Sequence, residues 1–204
     1  VYDYIDNYST SENLYSSSIS SLNICPQGYL WVGSQSSGDI MIFDNRFNLF
    51  ENIEYPQFDK VYKIDFSDNA AFAIVSIDQE MMLAHYNTED ISDPYYLNLY
   101  SSFPISFEKI NSLVIVDNMI YLATTEGLLS ADYNDMLSFS SSWNISYEMN
   151  DITSILEYNN QLIISYSNNI VNIDDDLTYT IEDIETIENI YLSDNINEII
   201  ISDD

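Results

Sequence analysis

The chain has 204 residues, 34 of them Asp or Glu against 4 Lys or Arg, for a formal net charge of -30. Such a surface repels phosphate backbones and offers no basic patch to anionic lipid, which excludes nucleic-acid binding and electrostatic membrane docking. Yet 46% of the residues are hydrophobic and 14% aromatic, including 18 Tyr and 9 Phe, which is material for a packed core rather than a disordered chain.

Ile, Tyr, Ser and Asn dominate, while Gly and Pro number only 4 each. Ile and Tyr favour strands. Asn and Asp tolerate left-handed backbone, so they stand in for glycine in tight turns. The expectation is an all-β chain of many short strands. Cys25 is the single cysteine, so no internal disulfide forms. No run of 18 apolar residues occurs, so no membrane insertion is expected. The chain begins at Val1 without a signal-type apolar region, which reads as a removed leader or as a piece of a longer protein. Arg46, Lys60, Lys63 and Lys109 are the strong cations, and residues 110–204 contain no Lys or Arg. Stability there must come from apolar burial and backbone hydrogen bonds, with self-repulsion relieved by salt.

Taken in order, residues 1–18 supply the end of a preceding or closing unit, with one strand over 2–8. A repeat then begins. Each copy opens on two apolar residues three apart: Ile19/Leu22, Val61/Ile64, Ile110/Leu113, Ile152/Ile155 and Ile187/Ile190. A second, apolar strand follows at Leu30-Trp31-Val32-Gly33-Ser34, Phe72-Ala73-Ile74-Val75-Ser76, Ile120-Tyr121-Leu122-Ala123-Thr124, Leu162-Ile163-Ile164-Ser165-Tyr166 and Ile199-Ile200-Ile201-Ser202-Asp203. Turn residues precede these strands: Pro26-Gln27-Gly28, Asp68-Asn69, Asp117-Asn118, Asn159-Asn160 and Asp194-Asn195. Unbroken apolar runs imply strands buried on both faces. Third strands are expected over 39–44, 81–86, 127–132 and 169–174, and looser fourth strands over 47–55, 95–103, 143–148 and 177–181.

Four strands in a unit of roughly 42 residues is the signature of a β-propeller blade. The fold expected is therefore all-β, a partial β-propeller of about five blades of four antiparallel strands. The blades fall approximately at 19–57, 61–104, 110–148, 152–183 and an incomplete 187–204. The last repeat and residues 2–8 together fall short of a full blade, so a fragment of a larger propeller is expected rather than a closed ring. Such an open array should aggregate or be weakly stable alone. Trp31 is expected to wedge between two blades, and Gly33 to permit close approach of the neighbouring sheet.

The stretch from Ser11-Glu12-Asn13-Leu14 through Gly28-Tyr29-Leu30-Trp31-Val32-Gly33-Ser34 to Gly38-Asp39-Ile40 and Phe43-Asp44 resembles the two-component-regulator propeller repeat. Residues 118–128, Asn118-Met119-Ile120-Tyr121-Leu122-Ala123-Thr124-Thr125-Glu126-Gly127-Leu128, resemble a degenerate form of it, similar to the PorZ-like propeller component of type IX secretion machinery. Blades two, four and five lack the Trp-Val-Gly string. The resemblance implies a non-enzymatic binding or scaffold module, bacterial, in the cell envelope or secreted, with a protein partner. An alternative it implies is the sensory ectodomain of a hybrid two-component regulator.

The residues themselves assign no catalytic, metal or cofactor-binding position. His85, the sole histidine, lies on a third strand without a nucleophile motif, which favours a structural or surface role over a catalytic base. One His and one Cys rule out a zinc site of N and S ligands. Propellers can host glycoside hydrolysis by paired acids, a further alternative, but nothing singles out a pair among so many carboxylates. Asp174-Asp175-Asp176 lacks the spacing and glycine of a calcium loop and reads as a solvated hairpin turn. Asn7-Tyr8-Ser9 and Asn144-Ile145-Ser146 match a glycosylation pattern frequent by chance in such a chain.

Overall fold

A computed structural model describes residues 18–53, 56–147, 151–158, 161–166, 169–172, 177–180, 190–191 and 200–201. The chain forms two compact units, one ending at Leu99 and the other starting at Tyr100. The expected strand over 2–8, the turns at 159–160 and 194–195, the aspartate run 174–176 and the Asn7 sequon lie outside the described residues.

The first unit holds two four-stranded antiparallel sheets. One is β1 (Ile19–Ile24), β2 (Leu30–Ser34), β3 (Ile40–Phe43) and β4 (Leu49–Ile53). The other is β5 (Lys60–Phe66), β6 (Ala70–Ile77), β7 (Glu80–Asn87) and β8 (Tyr95–Tyr100). Each sheet keeps its strands in chain order. The second unit repeats the plan with β9 (Ile110–Val116), β10 (Met119–Thr124), β11 (Gly127–Asp132) and β12 (Asn144–Tyr147). It continues with β13 (Ile152–Tyr158), β14 (Gln161–Tyr166), β15 (Asn169–Asn172) and β16 (Leu177–Thr180), and then a two-stranded pair, β17 (Ile190–Tyr191) and β18 (Ile200–Ile201). Asp and Gln do fill turn positions that glycine usually takes. Asp78 and Gln79 between β6 and β7 both have positive φ, 51° and 70°, and Asp117 between β9 and β10 has φ 53°.

Stacking of sheets builds the core. In the first unit Trp31, Ile40 and Ile42 of one sheet share a cluster with Val61, Ile64, Ala71, Ala73, Val75, Ala84 and Tyr86 of the other. Trp31 is fully buried and meets Phe66 and Tyr86 edge-on at 5.3 and 6.0 Å. Three alanines on the facing sheet make room for this indole. In the second unit the corresponding wedge is Tyr121, and the facing residues are the larger Ile155, Leu162 and Ile164. Gly33 permits the approach expected of it: a Cβ there would sit 2.7 Å from Val61 Cγ1.

Polar hooks reinforce the stacking. β5 and β13 lie at sheet edges, so one side of each strand has no ladder partner. Side chains from the preceding sheet supply the donors. The Ser20 hydroxyl donates to the Val61 carbonyl, and Asn23 Nδ2 donates to Ile64 O at 2.9 Å. In the second unit Asn111 Nδ2 donates to Ile152 O at 2.8 Å and the Ser112 hydroxyl to Ile155 O at 3.4 Å. Gln27 Nε2 adds a turn-to-turn bond to Asp68 O at 2.9 Å. A β-bulge recurs beside the hooks. The register shifts around Ser20, Tyr62, Asn111 and Thr153, each directly after the opening apolar residue.

One alignment differs from expectation. Trp31 pairs with Asn23, and its counterpart in the second sheet is Phe72, which pairs with Asp65. The second strand there is displaced by one residue from the alignment that places Phe72 under Leu30. Because side chains alternate, this displacement is what turns Ala71, Ala73 and Val75 toward Trp31.

Trp31→Ala is expected to lower stability by about 3–5 kcal/mol. Trp31→Phe should cost much less, because among the described residues the buried indole N–H has no acceptor whose loss would matter. Asn111→Ala, which leaves the Ile152 carbonyl without its donor, is expected to cost about 1–3 kcal/mol, and Asn111→Ser less, since serine fills this place at Ser20. Chemical denaturation of the four variants checks both expectations.

Candidate functional site

In each meander the turn after the first strand and the turn after the third lie at the same end of the sheet. The third strands of three sheets finish on an acceptor side chain that closes an Asx turn. Asp44 Oδ1 accepts the Arg46 N–H at 2.8 Å, Asn87 Oδ1 the Glu89 N–H at 3.1 Å, and Asp132 Oδ1 the Asn134 N–H at 2.9 Å. Two of these turns are tied to the neighbouring first turn, Thr88 N to Asn69 O at 3.0 Å and Tyr133 N to Asn118 O at 2.9 Å. The Asp44 cage, which also accepts from Asn48, holds Phe47 at a positive φ of 60° and leaves its ring exposed.

The turn from β11 to β12 is longer, spanning 133–143, and is built as a platform. Leu137 and Trp143 are buried, and Trp143 Nε1 donates to Leu137 O at 3.1 Å. The indole meets Phe103 edge-on at 5.1 Å. Met136 O accepts from Phe139 N and from the Ser142 hydroxyl, both at 3.0 Å, and Ser140–Ser142 form a short 3-10 turn. Held by these anchors, Met136 and Phe139 point outward, 70% and 56% exposed. A loop whose backbone is already held by hydrogen bonds has little backbone entropy left to lose when its large apolar side chains bind, which suits an interface anchor. Asp132 and Asp135 give the platform an acidic border. The fourth strand was legible here, but the loop was not. Its signal is the long interval before Asn144, with Met and Phe set among polar residues.

His85 lies on β7 opposite Phe72 and stacks on that ring with centroids 4.3 Å apart. Its register position is the one Ile42 holds in the first sheet. Partial burial at this position pushes the imidazole down to about 4 from the ordinary 6.5 by desolvation. Asp44 and Asp90 are both held below the usual carboxylate range, chiefly by side-chain hydrogen bonds from Asn48 and Ser92. Cys25 is buried in the first unit's core. Asn144 is exposed on the outer strand β12. Among the described residues no three His, Cys, Asp or Glu side chains converge as a metal site would require, and no helix is long and apolar enough to cross a membrane.

The His85 site generates a pH prediction. The folded protein keeps the imidazole neutral down to about pH 4, whereas the unfolded chain takes up a proton near pH 6.5. The contribution is therefore fully present above pH 6.5 and is lost as pH falls from 6.5 to 4. His85→Phe preserves the ring stack and removes this loss. Denaturation midpoints of the two proteins should run parallel above pH 6.5 and diverge below it, with the wild type falling further.

No protein-family model and no curated protein sequence matches the chain. Solved structures do. PorZ, a bacterial surface component of the type IX secretion system of Porphyromonas gingivalis, matches with a TM-score of 0.65 and 14% identity, over 94% of this chain and 32% of that one. The extracellular domain of a hybrid two-component system from B. thetaiotaomicron matches with a TM-score of 0.56 and 14% identity, over 93% and 26%. Streptogramin B lyase, an enzyme, matches with a TM-score of 0.60 and 13% identity, over 78% and 52%. The chain thus spans about a third of PorZ and about a quarter of the two-component ectodomain. What these relationships and the repeated four-stranded meanders establish is the fold: the chain is an all-β protein of the β-propeller class, similar to the propellers of PorZ and of two-component regulators.

Proposed function

We propose that the chain is a non-enzymatic binding module, a segment of a larger propeller in an exported or cell-surface bacterial protein, with a protein as its partner. The observation that carries this reading is the 133–143 platform, which holds Met136 and Phe139 outward while Leu137 and Trp143 fix it from beneath. A rigid sheet stack presenting a few apolar anchors is how propeller loops bind other proteins. The fold likeness to a surface component and to an extracellular domain supports a location in the cell envelope or outside it. The likeness to the two-component ectodomain favours a second reading, a sensory domain whose platform engages its ligand or its own signalling partner. A transmembrane segment and a kinase encoded downstream in the gene would select it over the first.

The test is capture from bacterial envelope extracts by the wild type and by a Met136→Ser, Phe139→Ser double variant. One reproducible protein partner is expected with the wild type. Its affinity should fall about tenfold or more in the variant while the melting temperature holds, because truncated anchors cost binding and exposed side chains contribute little to folding. Turnover of a glycan by the purified chain, with no partner captured, overturns the reading.

A further inference from the structure

The platform at 133–143 is a loop beyond the end of β11, so it is not part of the sheet faces that blade stacking covers. Charge around it is one-sided. Asp132 and Asp135 lie on the loop's first turn, where Asp135 N donates to Asp132 O at 3.0 Å. Asp117 is exposed in the adjoining turn between β9 and β10. That turn is tied to the platform by Tyr133 N to Asn118 O at 2.9 Å and by the Tyr133 hydroxyl to Asn118 Oδ1 at 3.0 Å. The second unit has a single Lys or Arg, Lys109, and it precedes β9 at the opposite end of the sheet. There its carbonyl accepts from Thr125 N at 3.1 Å, in the turn between β10 and β11. The seven residues of β9 separate the two ends by about 20 Å, roughly two Debye lengths at physiological salt. No cation of this unit therefore neutralises the acids beside the platform.

Two requirements on the occupant follow, given the reading of the platform as the protein-binding site. Met136 and Phe139 call for apolar side chains opposite them; the thioether adapts to an irregular surface and the ring supplies contact area. Asp117, Asp132 and Asp135 repel an acidic partner, and a neutral one would strip water from the carboxylates without replacing it. We propose that the partner is a cationic protein segment, which sets apolar side chains on Met136 and Phe139 and turns flanking Lys or Arg toward Asp117, Asp132 and Asp135. In such a contact the apolar anchors hold the complex, while the charged rim speeds encounter and selects the partner. Association therefore slows as salt rises.

Binding kinetics of the full chain with three short synthetic peptides test this: one of Lys and Leu, one of Glu and Leu in the same order, and one of Lys and Ser. The Lys–Leu peptide is expected to bind, more slowly at high sodium chloride than at low; the Lys–Ser peptide should bind about tenfold or more weakly, and the Glu–Leu peptide not at all. Met136→Ser with Phe139→Ser should weaken the Lys–Leu complex about tenfold or more. Asp132→Asn with Asp135→Asn, which keeps the turn's acceptor oxygen, should slow association several-fold. Glu108→Gln with Glu126→Gln removes the same charge at the opposite end of the sheet and should change nothing, which separates a local rim from the net charge of -30. Absence of Lys–Leu binding, equal binding of either other peptide, or equal losses from the two acid pairs overturns the proposal. A partner captured from extracts through Met136 and Phe139 would still uphold the binding-module reading, whereas capture indifferent to those two residues sinks both. Should the anchor variant lose its fold, the salt dependence and the two acid pairs still decide.

Discussion

The inner strands β5 and β13 set the constraint on which the rest depends. Each sits at the edge of its sheet, with carbonyls the ladder cannot reach and an apolar face the sheet cannot hide. Both needs are met by the same neighbour. Ser20 and Asn23, and Asn111 with Ser112, reach across to the carbonyls, while Trp31 or Tyr121 covers the apolar face. A single sheet of this kind therefore has little reason to persist alone, and stability belongs to the stacked pair. The recurrent bulge fits this arrangement, because it places its residue outside the regular alternation, where Ser20 and Asn111 reach the next sheet.

These hooks are hydroxyls and amides, not ammonium or guanidinium groups. A chain with 4 Lys and Arg has few cations to spend on bridges between sheets, and none beyond Lys109. Neutral donors to backbone carbonyls serve instead and, unlike ion pairs, keep their strength when salt screens the surface. The same economy shows in the turns, where Asp44, Asn87 and Asp132 accept backbone N–H groups of their own loops. Carboxylates so used are satisfied locally and ask for no countercharge.

The repeat made the architecture legible from sequence because two signals coincide, the paired opening apolar residues and the unbroken apolar second strands. The wedge at Trp31 and the close approach at Gly33 followed from the same pattern. The one-residue displacement at Phe72 did not, because in an eight-residue strand of almost wholly apolar residues, Ala70–Ile77, composition alone does not choose a register. That choice is made by the fit of Trp31 against Ala71 and Ala73. The Met136 and Phe139 platform escaped for a different reason. Its anchor Leu137 lies outside the strand periodicity, and Trp143 marked a strand start rather than the buried foot of a loop. The register position of His85, which matches that of Ile42, is visible only once the strands are paired.

The two tryptophans fall one in each compact unit, Trp31 in the first and Trp143 in the second, and both are buried. They differ in surroundings. Among the described residues the Trp31 indole N–H has no acceptor, while that of Trp143 is hydrogen-bonded to a main-chain oxygen. Each half of the polypeptide thus carries its own built-in emission probe with a distinct spectral character. Replacing either ring by phenylalanine leaves a single fluorophore, so intrinsic fluorescence can report whether the halves melt together or in turn, without any attached dye.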